Sequence, residues 1–341
     1  MIKITKKGIV YISILIGSII AYVVLTMVSA SLERKLYDQH LPEKWSRDGG
    51  YAQISCYYSA KEEVTDFTIQ SIQHSVESSL QEASITTEND NARLIVDCYS
   101  AKGEVTLTSG KTSLTASALG VGGDFFLFHP VEIINGAYFS GNALMKDYII
   151  IDEDAAWQLF GSNDVVGMQV EIGGVPHLVA AVIKRDDDKL SKAAGLDKTL
   201  VYLSYESLEA YGTSKGISAY EILMPNPVKG FAYDIISKKV SANEDNVEVI
   251  DNSIRFNDIE LFGVIKEFSE RVMSKKDIIY PYWENKARAV ENQMAVLLIF
   301  RILVAIPGIV VIIVGIVKGY SRVDGYIKKK REKRYSYEEN Y

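Results

Sequence analysis

Two uncharged apolar runs, one near each end, constrain this chain more than any other feature of it. The first covers residues 8–32; the second, interrupted only by Arg301, covers residues 294–317. A helix needs about 20 apolar residues to cross the hydrocarbon layer of a bilayer, and both runs are long enough. The rival for the first is a cleaved signal peptide, with Val28-Ser29-Ala30 as cleavage site behind Lys3, Lys6 and Lys7. Signal-peptide apolar cores run about 7–15 residues, so an uncleaved anchor is expected. Pro307-Gly308 interrupts the second run near its middle, which a bilayer helix tolerates when its neighbours satisfy the freed backbone groups. Lys318, Arg322 and the basic run 328–331 follow this second run, while lysines precede the first. The positive-inside rule then expects residues 1–7 and the basic tail 318–341 in the cytoplasm, and residues 33–293 outside it, in a two-pass cell-membrane protein.

Charge supports treating the middle separately. Eleven of the 37 Lys/Arg and four of the 44 Asp/Glu lie in the two tails, so 26 basic face 40 acidic residues between them, a net charge of −14. Such a stretch does not read as a partner of nucleic acid. Two Cys in 341 residues also exclude a disulfide-built scaffold.

Within 33–293 the periodicity is mixed. A strand-like run over 51–58 precedes a helical pattern with Val64, Phe67, Ile69, Ile72, Val76 and Leu80, and residues 94–99 form the next strand. The order recurs at 219–224, a helix to about Val240, and 247–251, with Pro225 and Pro227 between the first two. The spacing predicts two βαβ halves, 51–101 and 217–254, building one ferredoxin-like sheet, with a β-rich insertion over 102–216. Asp152 is placed to cap a short helix that ends at Gly161. A further helix is predicted over 257–276, with Leu261, Ile265, Phe268 and Val272 on one stripe, and 282–294 leads on from it; together 257–293 read as stalk helices.

The motifs in the insertion are more specific. The stretch 148–161, then Val165-Val166-Gly167, Val170 to Gly174 and Leu178 to Val182, resembles the extracytoplasmic core domain of MacB/FtsX-type ABC transporter permeases. Leu119-Gly120-Val121-Gly122-Gly123-Asp124 and Asn135-Gly136-Ala137-Tyr138 are similar to that family too. The resemblance implies an α+β, porter-like outer domain in a non-catalytic membrane subunit. Such a subunit works with a separate cytoplasmic ABC ATPase subunit, its outer domain transmitting conformational change or guiding a substrate. Met168 and Ala181 depart from the family's usual basic residue and Gly at turn or core positions. Family permeases also carry further membrane helices after the outer domain, so a shortened relative completed by a further permease chain is expected. The alternative is an anchored extracytoplasmic scaffold or sensor that binds envelope proteins without transport.

Other motifs carry less. Ser109-Gly110-Lys111-Thr112 has the end of a phosphate-binding loop but Val105 where the leading Gly belongs, so a polar hairpin turn is expected. His40, His74, His129 and His177 have no close His or Cys at ligand spacing and read as surface or core residues. Asp186-Asp187-Asp188 lacks the rest of a calcium loop and reads as a solvated turn. No nucleophile–base set is recognisable, which leaves open only a hydrolase assembled from distant residues. No catalytic residue, cofactor or metal ligand is therefore assigned. Cys56 and Cys98 would be separated by a third strand in a split βαβ sheet, about twice 4.8 Å, which favours buried free thiols over a bridge without closing the choice. The tail either marks topology against anionic membrane lipids or docks on the ATPase.

The candidate site residues lie in the spans. At 100° per residue, Arg301, Ala305, Gly308, Ile312, Gly315 and Gly319 fall on one face, while Leu298, Ile299, Leu303, Val310, Val311 and Val317 cover the other sides. Small residues let helix backbones approach closely in lipid, and Ser13, Gly17 and Ala21 offer a comparable row in the first span. Arg301 either snorkels to the headgroups or meets a partner on a neighbouring permease helix.

Overall fold

The computed structural model describes residues 6–46, 49–87, 92–240, 246–268, 274–275 and 277–338. The chain divides into two units, residues 34–292 and the pair 1–33 with 293–341.

In the larger unit, a single turn of 3-10 helix at Tyr37–Gln39 and a short helix follow the first apolar run. With the run's own helix, α1 (Lys6–Glu33), as the first, this short one is α2 (Leu41–Trp45). The ferredoxin-like part is then laid down as β1 (Tyr51–Tyr58), α3 (Asp66–Glu82) and β2 (Val96–Ser109). Thr65 and Thr68 close a reciprocal capping box at the start of α3, whose Ile69, Ile72, Val76 and Leu80 are buried at helical spacing.

β2 turns straight into β3 (Thr112–Gly123), with Gly110 at φ +60° in the turn, so the loop-like Ser109 to Thr112 motif is the hairpin turn it resembled. The insertion continues through α4 (Phe125–Phe128), β4 (Ile133–Gly136), β5 (Tyr148–Asp152), α5 (Glu153–Phe160), β6 (Gln169–Ile172), β7 (Val175–Ile183), α6 (Lys189–Ala194), β8 (Leu200–Ser204), α7 (Tyr205–Tyr211) and β9 (Thr213–Ser214). Asp152 accepts the Ala155 amide at the start of α5, and Gly161 ends it in the left-handed region. The chain returns to the first sheet with β10 (Ala219–Pro225), α8 (Phe231–Val240) and β11 (Val247–Asp251).

Strand order β11-β1-β10-β2, antiparallel throughout, is the ferredoxin-like arrangement of two βαβ halves. The sheet runs on through β3, β8, β5 and β7, and β6 pairs with both β7 and the far end of β2. Those six strands close a ring, which leaves no open edge between them. The glycines of the 119–124 motif have a steric origin here. A Cβ on Gly120 would lie 2.8 Å from Leu208 Cδ2, and one on Gly122 would lie 2.1 Å from Tyr99 Cζ.

Alternation along the strands makes two cores. Ile54, Cys56, Tyr220 and Ile222 face α3 and α8, while Tyr57, Cys98, Leu223 and Trp283 join Phe125 and Phe128 on the opposite face. Beyond β11 the helix predicted over 257–276 is shorter: α9 (Asp258–Lys266) stops, and the two-residue strands β12 (Ser274–Lys275) and β13 (Ile278–Ile279) pair about Asp277 at φ +66°. The helix ends ahead of Phe268, and Val272, the last residue of the expected stripe, lies outside the described residues. The last helix, α10 (Tyr282–Glu338), begins in this unit.

The smaller unit holds α1 and the rest of α10, both long and apolar enough to cross a membrane. They pair antiparallel: Gly308 approaches Ser18, with its Cβ position 3.1 Å from Ser18 Cβ, and Lys318 Nζ sits 5.0 Å from the centre of the Tyr11 ring.

Candidate functional site

Burial of the second sheet face ought to demand apolar side chains, yet a polar row crosses it. Ser55 on β1, Glu221 on β10 and Cys98 on β2 are register partners across three adjacent strands, and all are buried. A carboxylate in that position needs partners, because an unpaired buried charge costs several kcal/mol. Glu221 has them. The Ser55 hydroxyl donates to one oxygen, and the imidazole of His129, at the end of α4, contacts the other through Nε2. His129 stacks on Trp283 at 4.1 Å, and its Nδ1 lies 3.5 Å from Asp38 in the 3-10 turn.

Electrostatics follow from this geometry. Burial disfavours the imidazolium, but Glu221 and Asp38 outweigh it and push the His129 pKa up to about 9. Burial likewise works against the Glu221 anion, yet His129, Ser55 and Gln53 hold its pKa below the ordinary carboxylate value.

The row continues into a larger network. Asn252 donates to Ser55 Oγ at 2.6 Å and accepts from Arg255 at 3.0 Å. Arg255 forks onto both oxygens of Glu284 at 2.9 and 3.0 Å, donates from Nε to Glu291 at 2.7 Å, and reaches Gln39 Oε1 at 3.1 Å. Tyr57 donates to Glu284 at 3.2 Å. Asp38 and Gln39 belong to the segment that follows α1, and Glu284 and Glu291 to the first turns of α10. One guanidinium in the turn after β11 therefore ties together the segment that follows α1, the first turns of α10 and, through Asn252, Ser55 on β1.

Cys98 Sγ, a His129 ring nitrogen and a Glu221 oxygen lie within 4.8 Å of one another, a donor set of the kind that holds zinc. Histidine and carboxylate contact each other directly, Ser55 takes the second carboxylate oxygen, and burial first, then Glu221, raises the Cys98 thiol well above its ordinary pKa. The set is arranged to hold a proton and a charge pair.

His129 is a core residue, one of the two places expected for the histidines, and the sheet register adds neighbours that sequence spacing does not show, Cys98 and Glu221 from strands about 30 and 90 residues away. His177 is buried with Nδ1 3.0 Å from the Val175 carbonyl oxygen, His74 is exposed, and His40 lies 3.6 Å from Glu43. Asp186 pairs with Lys286 at 2.8 Å, and Asp188 caps α6 by accepting from Leu190 and Ser191. Cys56 and Cys98 are free and buried, with β10 between their strands. The Glu221 network was missed in sequence, although the alternation of Gln53, Ser55 and Tyr57 and the lone acid in the apolar run 219–224 signalled it.

Among the span residues, Arg301 and Gly308 are buried and Ala305 half-buried on one face of α10. Ile312, Gly315 and Gly319 are exposed, and a Cβ on either glycine would meet nothing within 4 Å. On α1 Leu15, Ser18, Ala21 and Leu25 are half-covered, as are positions nearer its two ends, whereas Ser13 and Gly17 are exposed.

A ferredoxin-like sheet continued into a closed strand ring, in a chain with a membrane-length apolar helix near each end, defines an α+β domain of a membrane-anchored protein. A family model for the MacB-like periplasmic core domain matches residues 9–230, and the chain belongs to that family. It is a membrane protein of the MacB/FtsX-type ABC transporter permeases with an extracytoplasmic domain. Similar sequences include the macrolide export ATP-binding/permease protein MacB of Agrobacterium fabrum, 30% identical over 107 residues, which are 30% of this chain and 16% of that protein. The protein of the same name from Neisseria gonorrhoeae is 32% identical over 85 residues, 24% of this chain and 13% of that one. The chain thus matches a small part of the length of these relatives. Similar solved structures are the extracellular domain of the noncanonic ABC-type transporter YknZ from Gram-positive bacteria and the periplasmic region of MacB from Actinobacillus actinomycetemcomitans. The first has 15% identity and a TM-score of 0.37 over 58% of this chain and 99% of that one; the second has 12% and 0.42 over 65% and 94%.

Proposed function

We propose that this chain is a non-catalytic membrane subunit of a MacB/FtsX-like ABC transporter assembly, whose outer domain transmits conformational change across the membrane boundary. The observation that carries this reading is the Arg255 junction, where Gln39 from the segment after α1 and Glu284 and Glu291 from the start of α10 meet a residue in the turn after β11. A buried network of charge-assisted hydrogen bonds centred on one guanidinium has few alternative arrangements, so a displacement of the first turns of α10 is passed to the turn after β11 instead of being absorbed at a soft joint. In this reading both termini are cytoplasmic, residues 33–293 lie outside, and the ATP-driven step belongs to a separate cytoplasmic ATPase subunit. A further permease chain packs on the face of α10 that carries Ile312, Gly315 and Gly319, which α1 leaves exposed.

The test is purification of the tagged chain in mild detergent, with co-eluting proteins identified by mass spectrometry. A nucleotide-binding subunit is the expected companion. Recovery of envelope proteins with no such subunit would replace this reading with an anchored scaffold or sensor.

A further inference from the structure

β11 ends the sheet, and the side of it that faces away from β1 pairs with no other strand among the described residues. The register fixes which backbone groups lie there. Ser59 N–H donates to the Asn246 carbonyl at 2.8 Å and Asn252 N–H to that of Gln53 at 3.0 Å, so Asn246, Glu248, Ile250 and Asn252 turn their N–H and C=O toward β1. Val247, Val249 and Asp251 turn theirs outward. The Asp251 carbonyl accepts from Ile254 N–H at 3.4 Å, and the backbone groups of Val247 and Val249 have no partner among the described residues.

An open edge of this kind is a template for another strand, and folded chains blunt it with bulges, Pro or Lys. The strand at the other end of the sheet, β4, carries such an irregularity between Ile133 and Asn135. β11 does not. It runs Val-Glu-Val-Ile-Asp, in unbroken register with β1, and its central acid Glu248 is taken up by Tyr280 and Arg288.

A cleft of about 420 Å³ follows this edge, because its lining takes in the consecutive residues 248–251 together with Tyr233 of α8 and Arg288 of α10, whose helices pack on opposite faces of the sheet. That volume is within the range of ligand clefts, about 300–1,000 Å³. The whole lining belongs to the unit 34–292. Six acidic and three basic side chains contribute to it. Arg255 is matched by Glu284 and Glu291 and Arg288 by Glu248, whereas Glu260 and Glu267 of the α9 side are exposed and make no ion pair among the described residues. The cleft therefore favours a cationic occupant and repels a carboxylate.

We infer that this cleft docks an extended, lysine- or arginine-bearing segment of a partner protein, which adds to β11 as a further strand. Main-chain hydrogen bonds to Val247, Val249 and the Asp251 N–H supply affinity, and Glu260 and Glu267 select the basic side chains that alternate along the segment. A second copy of β11 is a poor occupant, since its own Glu248 and Asp251 would bring acids to acids.

The test titrates the full, detergent-solubilised chain with a fluorescein-labelled peptide of about eight residues that alternates valine or threonine with lysine, long enough to pass β11 at about 3.3 Å per residue. Its glutamate counterpart and a fully N-methylated copy, which has no backbone donors, are the controls. The lysine peptide should bind at least about ten-fold more tightly than either. Hydrogen exchange at single amides gives the register: in the free chain Val247, Val249 and Asp251 should exchange faster than Glu248 and Ile250, and the lysine peptide should slow those three about ten-fold or more. Val249→Pro removes an outward donor and no bond to β1, so it should weaken binding about ten-fold with little change in Tm. Glu260→Lys combined with Glu267→Lys, both at exposed positions, should transfer the preference to the glutamate peptide. Slow exchange at all three amides in the free chain overturns the inference, because the edge is then already occupied. Absence of saturable binding below about 1 mM, equal binding of the N-methylated copy, or equal binding of the lysine and glutamate peptides overturns it as well.

Discussion

Replacing Arg255 by Met tests the junction most directly. Met keeps much of the aliphatic stem but removes the guanidinium, leaving Glu284 (0% exposed) and Glu291 (5%) as buried acids without their shared cation. Breaking a buried pair by deleting one partner costs about 3–5 kcal/mol, mostly because the survivor stays desolvated. The outer unit has roughly 260 residues, so each kcal/mol corresponds to about 2 °C of Tm, and Arg255→Met should lower Tm by about 6–10 °C. Trp283 is buried beside His129 and reports unfolding by intrinsic fluorescence in the intact, detergent-solubilised chain. Combining Arg255→Met with Glu284→Gln and Glu291→Gln should recover at least half of the loss, since the stranded charges are then gone. A single-variant shift under about 2 °C would refute the argument that this network clamps the connections. So would a triple variant no better than the single one, because the damage would then be packing and not charge.

Three further outcomes are expected. Because the His129 pKa is raised to about 9, its pairing contributes fully below the free-imidazole value near 6.5 and is lost as pH rises through about 9, whereas the lowered Glu221 contributes above the ordinary carboxylate range and is lost as pH falls through its own depressed value. Melting scans across pH should show an alkaline decline that His129→Gln removes; an unchanged decline in the variant would contradict the assignment. Denaturation without reductant should release two thiols that react with Ellman's reagent and none should react in the native chain, while absence of reaction after denaturation would mean a bridge. Gly315→Leu, at a position where an added Cβ would meet nothing within 4 Å, should lower recovery of the permease partner without changing expression, and Leu303→Ala should leave recovery intact; equal recovery from both variants would remove the proposed α10 contact.

Periodicity and local chemistry were enough to determine much of this protein from sequence. The uncharged runs identify α1 and the apolar part of α10, since a bilayer-length helix is a property of consecutive residues. The repeated strand–helix–strand order gives the ferredoxin-like halves, and Asp152 with Gly161 delimits α5, because capping and turn chemistry act within a few residues. Tertiary structure decided what depends on register and on long-range pairing. Closure of the strand ring needs β6 to meet the far end of β2, some 60 residues earlier, which no local pattern states. The row Ser55, Glu221 and Cys98 exists only because three strands align in one register, and a slip of one residue would turn Glu221 to the other face. His129 then acquires its charge from neighbours remote in sequence, and Arg255 gathers Gln39, Glu284 and Glu291 from both ends of the outer unit. Electrostatic energy depends on distance and burial, which the order of residues along a chain leaves undefined until the sheet has formed.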